Sequence, residues 1–326
     1  MYKPPFTITG RTVSLVAEIT ELLTLHMLRH ERDLRLRRIH RIQTIHGSLA
    51  IEGNNLTSEQ VTAILEGKQV IAPQREIQEV RNAIKAYDLL STWDATRTEH
   101  LLEAHAMLTM GLIDESGMFR SGSVGVVAGK DVIHVAPPAS RVPYLINDLL
   151  GWLNETDEHP LISSSVFHYE FEFIHPFADG NGRVGRLWQT LILSRWNEIF
   201  AYLPVENMIY KQQQAYYDAI NKSSRFGDCW PFIEFILEVI LKSLKTTDES
   251  LHDVGVNIGV NVGVNELEER ILLLIDQKPG INVNGIAGFI TDKSKRTIER
   301  HLGKLKEAGK VEFRGSDKTG GYFIRK

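Results

Sequence analysis

Along residues 11–112 apolar side chains return every three or four positions, the spacing that lays a single stripe down a helix. Val13–Arg29, Ser58–Leu65 and Glu76–Trp93 each carry such a stripe and predict amphipathic helices. Farther on, Val166, Phe167, Phe171 and Ile174 keep that period and predict a helix over Ser163–Ile174. Leu187, Leu191, Ile192 and Arg195 repeat it and predict another over Val184–Trp196. One segment between these helical regions reads differently. Val124, Val126 and Val127 stand across an Ala128-Gly129-Lys130-Asp131 turn from Val132, Ile133 and Val135, the pattern of a β-hairpin.

After Lys245 the pattern changes. Three tandem tetrads, Val254-Gly-Val-Asn257, Ile258-Gly-Val-Asn261 and Val262-Gly-Val-Asn265, put glycine at every fourth position. Each glycine costs a helix about 1 kcal/mol, so 246–265 reads as a linker. A compact unit follows at 266–326. Leu267–Asp276, Gly285–Ile290 and Ser294–Ala308 predict three helices, and Lys310–Arg314 with Tyr322–Arg325 predict a hairpin around Gly315–Gly321. Three helices and a hairpin resemble a winged helix-turn-helix. That unit holds 13 Lys+Arg against 9 Asp+Glu, net +4, which leaves −8 for the rest of a chain of net −4. Lys293, Lys295, Arg296, Arg300, Lys304 and Lys306 gather on its third helix, with Arg296, Arg300 and Lys304 as the candidate contacts to a duplex DNA groove. Winged helices also dock proteins, and fold alone does not choose between the two.

The whole chain has 326 residues, 43% of them apolar and 24% charged, an ordinary globular composition with room for more than one domain. Its net charge argues against nucleic-acid binding over the whole surface. One cysteine, Cys229, excludes an internal disulfide and suits a reducing compartment. No signal-like segment opens the sequence, and the most apolar run, Phe232–Leu241, is too short for a bilayer and carries Glu234 and Glu238. A cytoplasmic protein without a membrane span is expected.

The chemistry concentrates in His175-Pro-Phe-Ala-Asp-Gly-Asn-Gly-Arg-Val-Gly-Arg186, between the two predicted helices. Pro176 cannot continue the first helix, and Asp179-Gly-Asn-Gly182 favours a tight turn with positive φ. The loop therefore ends in a nest of backbone N–H groups at a helix N-terminus, which attracts anions. Arg183 and Arg186 lie three apart on one helical face, with forked donors suited to phosphate. Asp179 can hold a divalent metal, and His175 can take a proton near neutral pH. Singly, such a histidine is an ordinary cap and such a glycine run an ordinary turn. Together they specify a polyphosphate site with a general base.

The segment fits His-x-Phe-x-(Asp/Glu)-Gly-Asn-Gly-Arg-x-x-Arg at every specified position, and so resembles the Fic family. The resemblance covers roughly residues 40–240. It implies a mostly α-helical Fic core with a small β-hairpin flap, here followed by the α+β winged unit. The division it suggests is an N-terminal helical region at 1–110, a catalytic core at 111–245, the linker and the C-terminal unit. It also implies transfer of AMP from ATP to a Ser, Thr or Tyr hydroxyl of a target protein. His175 would be the general base, Phe177 the core anchor of the loop and Asp179 the Mg2+ ligand. Gly180, Asn181, Gly182, Arg183, Gly185 and Arg186 would bind the nucleotide phosphates. Members that phosphorylate their target carry a lysine after the motif asparagine; Gly182 is intact here, which favours AMP transfer.

Two further elements belong to the resemblance. Ser48-Leu-Ala-Ile-Glu52-Gly53 is similar to the family's inhibitory pattern, in which the glutamate pairs with the second motif arginine, here Arg186, and disturbs the pose of ATP. Without the motif, Ser48 and Glu52 would read as a solvated helix end. The hairpin at 124–135 matches the position of the flap that pairs with the target's backbone, with Arg120 either at its base or a surface charge. Tyr216 and Tyr217 stand in a run similar to one that lines the adenine pocket, although an aromatic pair on a helix is as readily core. His168, two turns before His175, reads as a buried structural histidine. A homodimer and modification of the chain itself fit the same reading. The rivals are a DNA-binding regulator with an idle nucleotide-sensing core, and a related transferase of another phosphate-containing group.

Overall fold

The computed structural model describes residues 2–30, 34–123, 125–128, 131–253, 267, 271–272, 274–275, 278–290, 293–307, 309–315 and 320–325. For 25–30, 34–36, 125–128, 131–135, 247–253 and 307 it describes the backbone alone. The Gly-Val-Asn repeat lies outside the described residues. The chain divides into two compact units, 1–255 and 256–326.

The larger unit is helical. At its centre stand α7 (Pro160–Ile174) and α8 (Asn181–Trp196), packed against each other as a helical hairpin. They take that place because they are apolar on more than one face. Leu161, Val166, Phe167, Phe171 and Ile174 of α7, and Val184, Leu187, Trp188 and Leu191 of α8, are all at most 2% exposed. Pro160 opens α7 in its first turn, where no backbone donor is missed, and the His159 ring accepts the Leu161 N–H at 3.2 Å. The hydroxyls of Ser164 and Ser165, buried on the same helix, return to the Leu161 carbonyl.

Around this hairpin α1 (Gly10–His30) packs on α11 (Trp230–Asp253), and α2 (Leu34–Ile51) on α9 (Val205–Lys211). The helix α3 (Ser58–Leu65), started by a Thr57/Gln60 capping box, sits against α2 and α4 (Gln74–Leu89). The others are α5 (Thr98–Thr109) against α4 and α8, α6 (Val142–Glu155) against α7, and α10 (Gln213–Phe226) against α11. A two-stranded antiparallel sheet, β1 (Gly125–Ala128) and β2 (Asp131–Val135), forms the predicted hairpin. No helix among the described residues is long and apolar enough to cross a membrane.

Several boundaries differ from the sequence reading; the first central helix, for one, begins at Pro160 and not Ser163. The helix expected over Glu76–Trp93 ends at Leu89 and tightens into a 3-10 turn at Leu90–Thr92. The second central helix begins at Asn181, not Val184, so part of the expected turn is already helical. The composition change at Lys245 falls inside α11, which continues to Asp253, because a polar sequence without glycine or proline is no barrier to a helix.

In the smaller unit Leu267, Ile271, Leu272, Leu274 and Ile275 are helical, followed by helices Val283–Phe289 and Lys295–Glu307. Strands β3 (Val311–Arg314) and β4 (Gly321–Ile324) pair antiparallel, and Ile281 bridges Tyr322. The middle helix starts two residues before its expected Gly285, because the Asn282 side chain accepts the Gly285 N–H at 2.9 Å and caps it. Leu267, Ile271, Ile275, Ile286, Ile298, Leu302 and Leu305 make the core. The helix Lys295–Glu307 turns Ile298, Leu302 and Leu305 inward, and Arg296, Arg300 and Lys304 stand exposed on its outer side.

Candidate active site

His175 ends α7 in the left-handed region, φ 49°, the one non-glycine residue with positive φ among those described. Such a conformation persists where surroundings over-determine it, and here Arg120 does so. Its Nε donates to the His175 carbonyl at 2.7 Å and its Nη2 to Ile174 O at 3.3 Å. The same guanidinium donates to Gly122 O at 2.8 Å and Pro137 O at 2.5 Å, and the Arg120 backbone N–H to Pro176 O at 3.0 Å. Gly122 and Pro137 bracket the β1–β2 hairpin. One buried arginine thus fastens both feet of the hairpin to the loop that carries His175, and is a contact at the hairpin's base and not a surface charge.

Phe177 is fully buried and stacks on His105, centroids 3.7 Å apart and planes 2° from parallel. Gly117 N–H donates to His105 Nδ1 at 2.9 Å, so Nε2 carries the proton and donates to Asp179 O at 3.0 Å. Burial keeps that ring neutral by pushing its pKa down to about 4. Asn181 closes the loop from the other side: its Oδ1 accepts Phe177 N–H at 2.9 Å and its Nδ2 donates to Phe177 O at 2.8 Å. Its Oδ1 and one Nδ2 hydrogen are thus spent on the Phe177 peptide, so this side chain shapes the loop. What α8 presents to an anion is its first-turn backbone N–H groups, reached across Gly180 at φ 87°.

Arg183 is 5% exposed; its Nη2 reaches Asp179 Oδ1 at 3.2 Å, while Nε and Nη1 make no hydrogen bond among the described residues. Asp179 also accepts Gly180 N–H at 2.6 Å, and Arg75 Nη2 lies 3.4 Å from its second oxygen. Among the described residues no three Asp, Glu, His or Cys side chains converge as a metal cage. Asp179 is a single, partly exposed carboxylate, a donor that suits Mg2+ completed by substrate phosphates and water.

Arg186 is almost wholly buried. Its Nη2 donates to Glu52 Oε1 at 2.7 Å and to Ser48 O at 2.9 Å, and its Nε to Ser48 Oγ at 3.2 Å. Burial opposes its charge, and Glu52, Tyr216 and Glu172 together more than offset that. Glu52 lies in the turn that closes α2, where the N–H groups of Glu52 and Asn54 return to Leu49 O and that of Gly53, at φ 89°, to Ala50 O. The contact is tight against α8: a Cβ on Gly182 would lie 2.3 Å from Glu52 Oε1 and 2.9 Å from Arg186 Nη1.

Behind the loop, His168 is buried as expected, with Nδ1 2.7 Å from Gln189 Oε1 and Nε2 3.0 Å from the Tyr216 hydroxyl. Tyr216 is therefore a core residue, drawn inward by that bond, and not a wall of an adenine pocket; Tyr217 is the half-exposed member of the pair. Gly185 lies against Glu172 and His168, where a Cβ would come within 3.1–3.2 Å, so it permits the α7–α8 approach. His105, Arg75, Glu79 (its Oε1 4.0 Å from Arg183 Nη1) and Glu172 escaped the sequence reading. The first three sit far from the motif in sequence and carry no local signal. Glu172 was legible, three residues before His175 on the same helix.

The geometry agrees with what the chain is similar to. A model of the Fic/DOC family matches residues 95–193. A solved Fic family protein from Desulfovibrio desulfuricans G20 is 42% identical, with a TM-score of 0.75 over 99% of this chain and 98% of that one. Fic-1 from C. elegans, 23% identical, shares the fold with a TM-score of 0.60 over 75% of this chain and 72% of that one. A protein adenylyltransferase Fic from Culex quinquefasciatus is 33% identical over 245 residues, 69% of this chain and 46% of that protein. The chain spans about half the length of the curated relatives it matches. With its motif loop, its helical core and a relative matched from end to end, the chain belongs to the Fic/DOC family.

Proposed function

We propose that this chain is a protein adenylyltransferase that moves AMP from ATP to a hydroxyl of a target protein and is held back by Glu52. The observation that carries the reading is the grouping of His175, Asp179, Arg183 and Arg186 around the first turn of α8, with Glu52 seated on Arg186 at 2.7 Å. The first-turn amides and Arg183, whose buried Nε and Nη1 make no hydrogen bond among the described residues, would take up the phosphates. Asp179 is the residue that would hold Mg2+, whose charge offsets that on the departing pyrophosphate. His175 removes the hydroxyl proton as the oxygen attacks the α-phosphorus. Catalysis on this plan is positioning and electrostatics.

The γ-phosphate needs Arg186, which Glu52 occupies. ATP then binds with its α-phosphate poorly aligned. Label from α-labelled ATP should reach protein with Glu52→Gly, including the chain itself, and vanish with His175→Ala; label from γ-labelled ATP instead would establish phosphoryl transfer. The targets proposed are cytoplasmic, in keeping with the lone buried Cys229.

For 266–326 we propose a winged helix that binds duplex DNA through Arg296, Arg300 and Lys304, which the helix Lys295–Glu307 exposes opposite its core face. Its affinity should fall steeply with salt as phosphate counterions are released. Charge reversal at Arg296 and Arg300 should weaken it further. No mobility shift of any duplex by the full chain at low salt would favour a protein contact.

A further inference from the structure

Glu172 is a largely buried acidic side chain beside the loop that the proposed reaction leaves unused. It is 11% exposed, and its Oε1 makes no hydrogen bond among the described residues. A carboxylate held this way is costly, and such groups persist mainly where function needs them. Burial pushes its pKa up to about 7, against the attraction of Arg186 and with the added repulsion of Glu52.

Its neighbours define what it can do. His168 Nε2 lies 3.8 Å from Glu172 Oε1. That ring, however, gives its Nδ1 proton to Gln189 Oε1, which can only accept, and so presents a lone pair at Nε2 to the Tyr216 hydroxyl. It has no proton to offer Glu172. Arg186 spends its bonds on Ser48 and Glu52. Tyr216 and Tyr217, from α10, are further titratable groups that face Glu172 among the described residues. There remains His175, whose Nδ1 is 3.9 Å from Glu172 Oε2.

We propose that Glu172 is the positioning residue for His175: its carboxylate holds the Nδ1–H of the imidazole, so that Nε2 is the atom turned to the incoming hydroxyl. The inference rests on the transfer reading above. As the hydroxyl oxygen bonds to the α-phosphorus, the bond from that phosphorus to the bridging oxygen breaks. The hydroxyl proton passes to His175 Nε2, and pyrophosphate leaves with the electron pair. The imidazolium so formed lies at ion-pair distance from Glu172, and later loses its proton to water. The arrangement acts in the carboxylate form of Glu172, which takes no part in the transfer as a proton donor. Catalytic contacts of this kind are often long before substrate binds and shorten in the complex.

The test uses the full chain with Glu52→Gly as parent and adds Glu172→Gln or Glu172→Asp. With Gln, kcat for α-label transfer should fall roughly 10- to 100-fold, while KM for ATP stays within about twofold. The acid limb of the pH–rate profile should move down by about one pH unit, because the charge favouring imidazolium is gone. Asp should restore part of the rate. Thermal stability of the Gln variant should equal or exceed the parent's, since the carboxylate is not there to hold the fold. An unchanged rate and profile would overturn the assignment, as would a fall in Tm together with weakened ATP binding, which marks a structural role. No α-label transfer by the parent would instead refute the transfer reading, and this inference with it.

Discussion

Replacing Glu52 with glycine sets activity and stability in opposite directions, and the size of each follows from the pair it breaks. The 2.7 Å contact between Glu52 Oε1 and Arg186 Nη2 is a charge-assisted hydrogen bond on a buried guanidinium. Bonds of that kind contribute about 1.5–3 kcal/mol net. If that is the preference for the closed arrangement, its removal should raise the transfer rate at saturating ATP by roughly 10- to 150-fold, at 1.4 kcal/mol per tenfold. Stability should move the other way. Stripping one partner from a buried pair costs about 3–5 kcal/mol, but Glu52 is a third exposed and Arg186 keeps both Ser48 contacts, so about 1–3 kcal/mol is the expected loss. Glu52→Gln separates charge from shape and should fall between. Arg186→Ala should lose stability without gaining rate, because the γ-phosphate then has no anchor. The assays are α-label incorporation against time and denaturant unfolding with and without ATP and Mg2+. Equal rates for wild type and Glu52→Gly under saturating conditions would refute the reasoning.

Gly182→Ala places a methyl 2.3 Å from Glu52 Oε1. It should cost about 1–3 kcal/mol in the wild type and much less beside Glu52→Gly, so a double-mutant cycle of unfolding free energies that comes out additive would disprove the contact. Arg120→Ala removes the four side-chain bonds joining the hairpin's feet to the loop. It should cut transfer by roughly 100-fold, leave ATP affinity within a few fold and speed amide exchange around 120–137, with Arg120→Lys rescuing little because an ammonium cannot bridge that fork. His105, neutral in the fold with its pKa lowered to about 4, takes up a proton in the unfolded chain at higher pH than in the folded one. Its contribution is therefore intact above pH 6.5 and lost as pH falls toward 4, by about 3 kcal/mol over that window. Glu172, raised to about 7, works in the opposite sense. His105→Gln should flatten the acid slope of stability by close to one proton, as measured by denaturant unfolding at pH 7 and 5.

The sequence by itself determined the helices around the motif, the hairpin and the identity of the motif loop. Those signals are local: a 3.6-residue apolar period fixes Ser163–Ile174 whatever it packs on, and Pro176 with Gly180 dictates a break wherever it falls. The pattern also named Glu52 and Arg186 as partners 134 residues apart, but through resemblance and not through any local rule. Tertiary structure alone decided where side chains spend their donors. Asn181, read as a phosphate ligand, clasps Phe177 because the loop brings that peptide to within 2.9 Å. Tyr216, read as core or pocket, became core once His168 offered it a buried acceptor at 3.0 Å. Arg120 and His105 acquired their roles from carbonyls contributed by segments 2 to 74 residues away, and an unpaired carbonyl carries no mark in the sequence. Periodicity records which face of an element is buried; the partner of each polar group is settled only when distant elements close on one another.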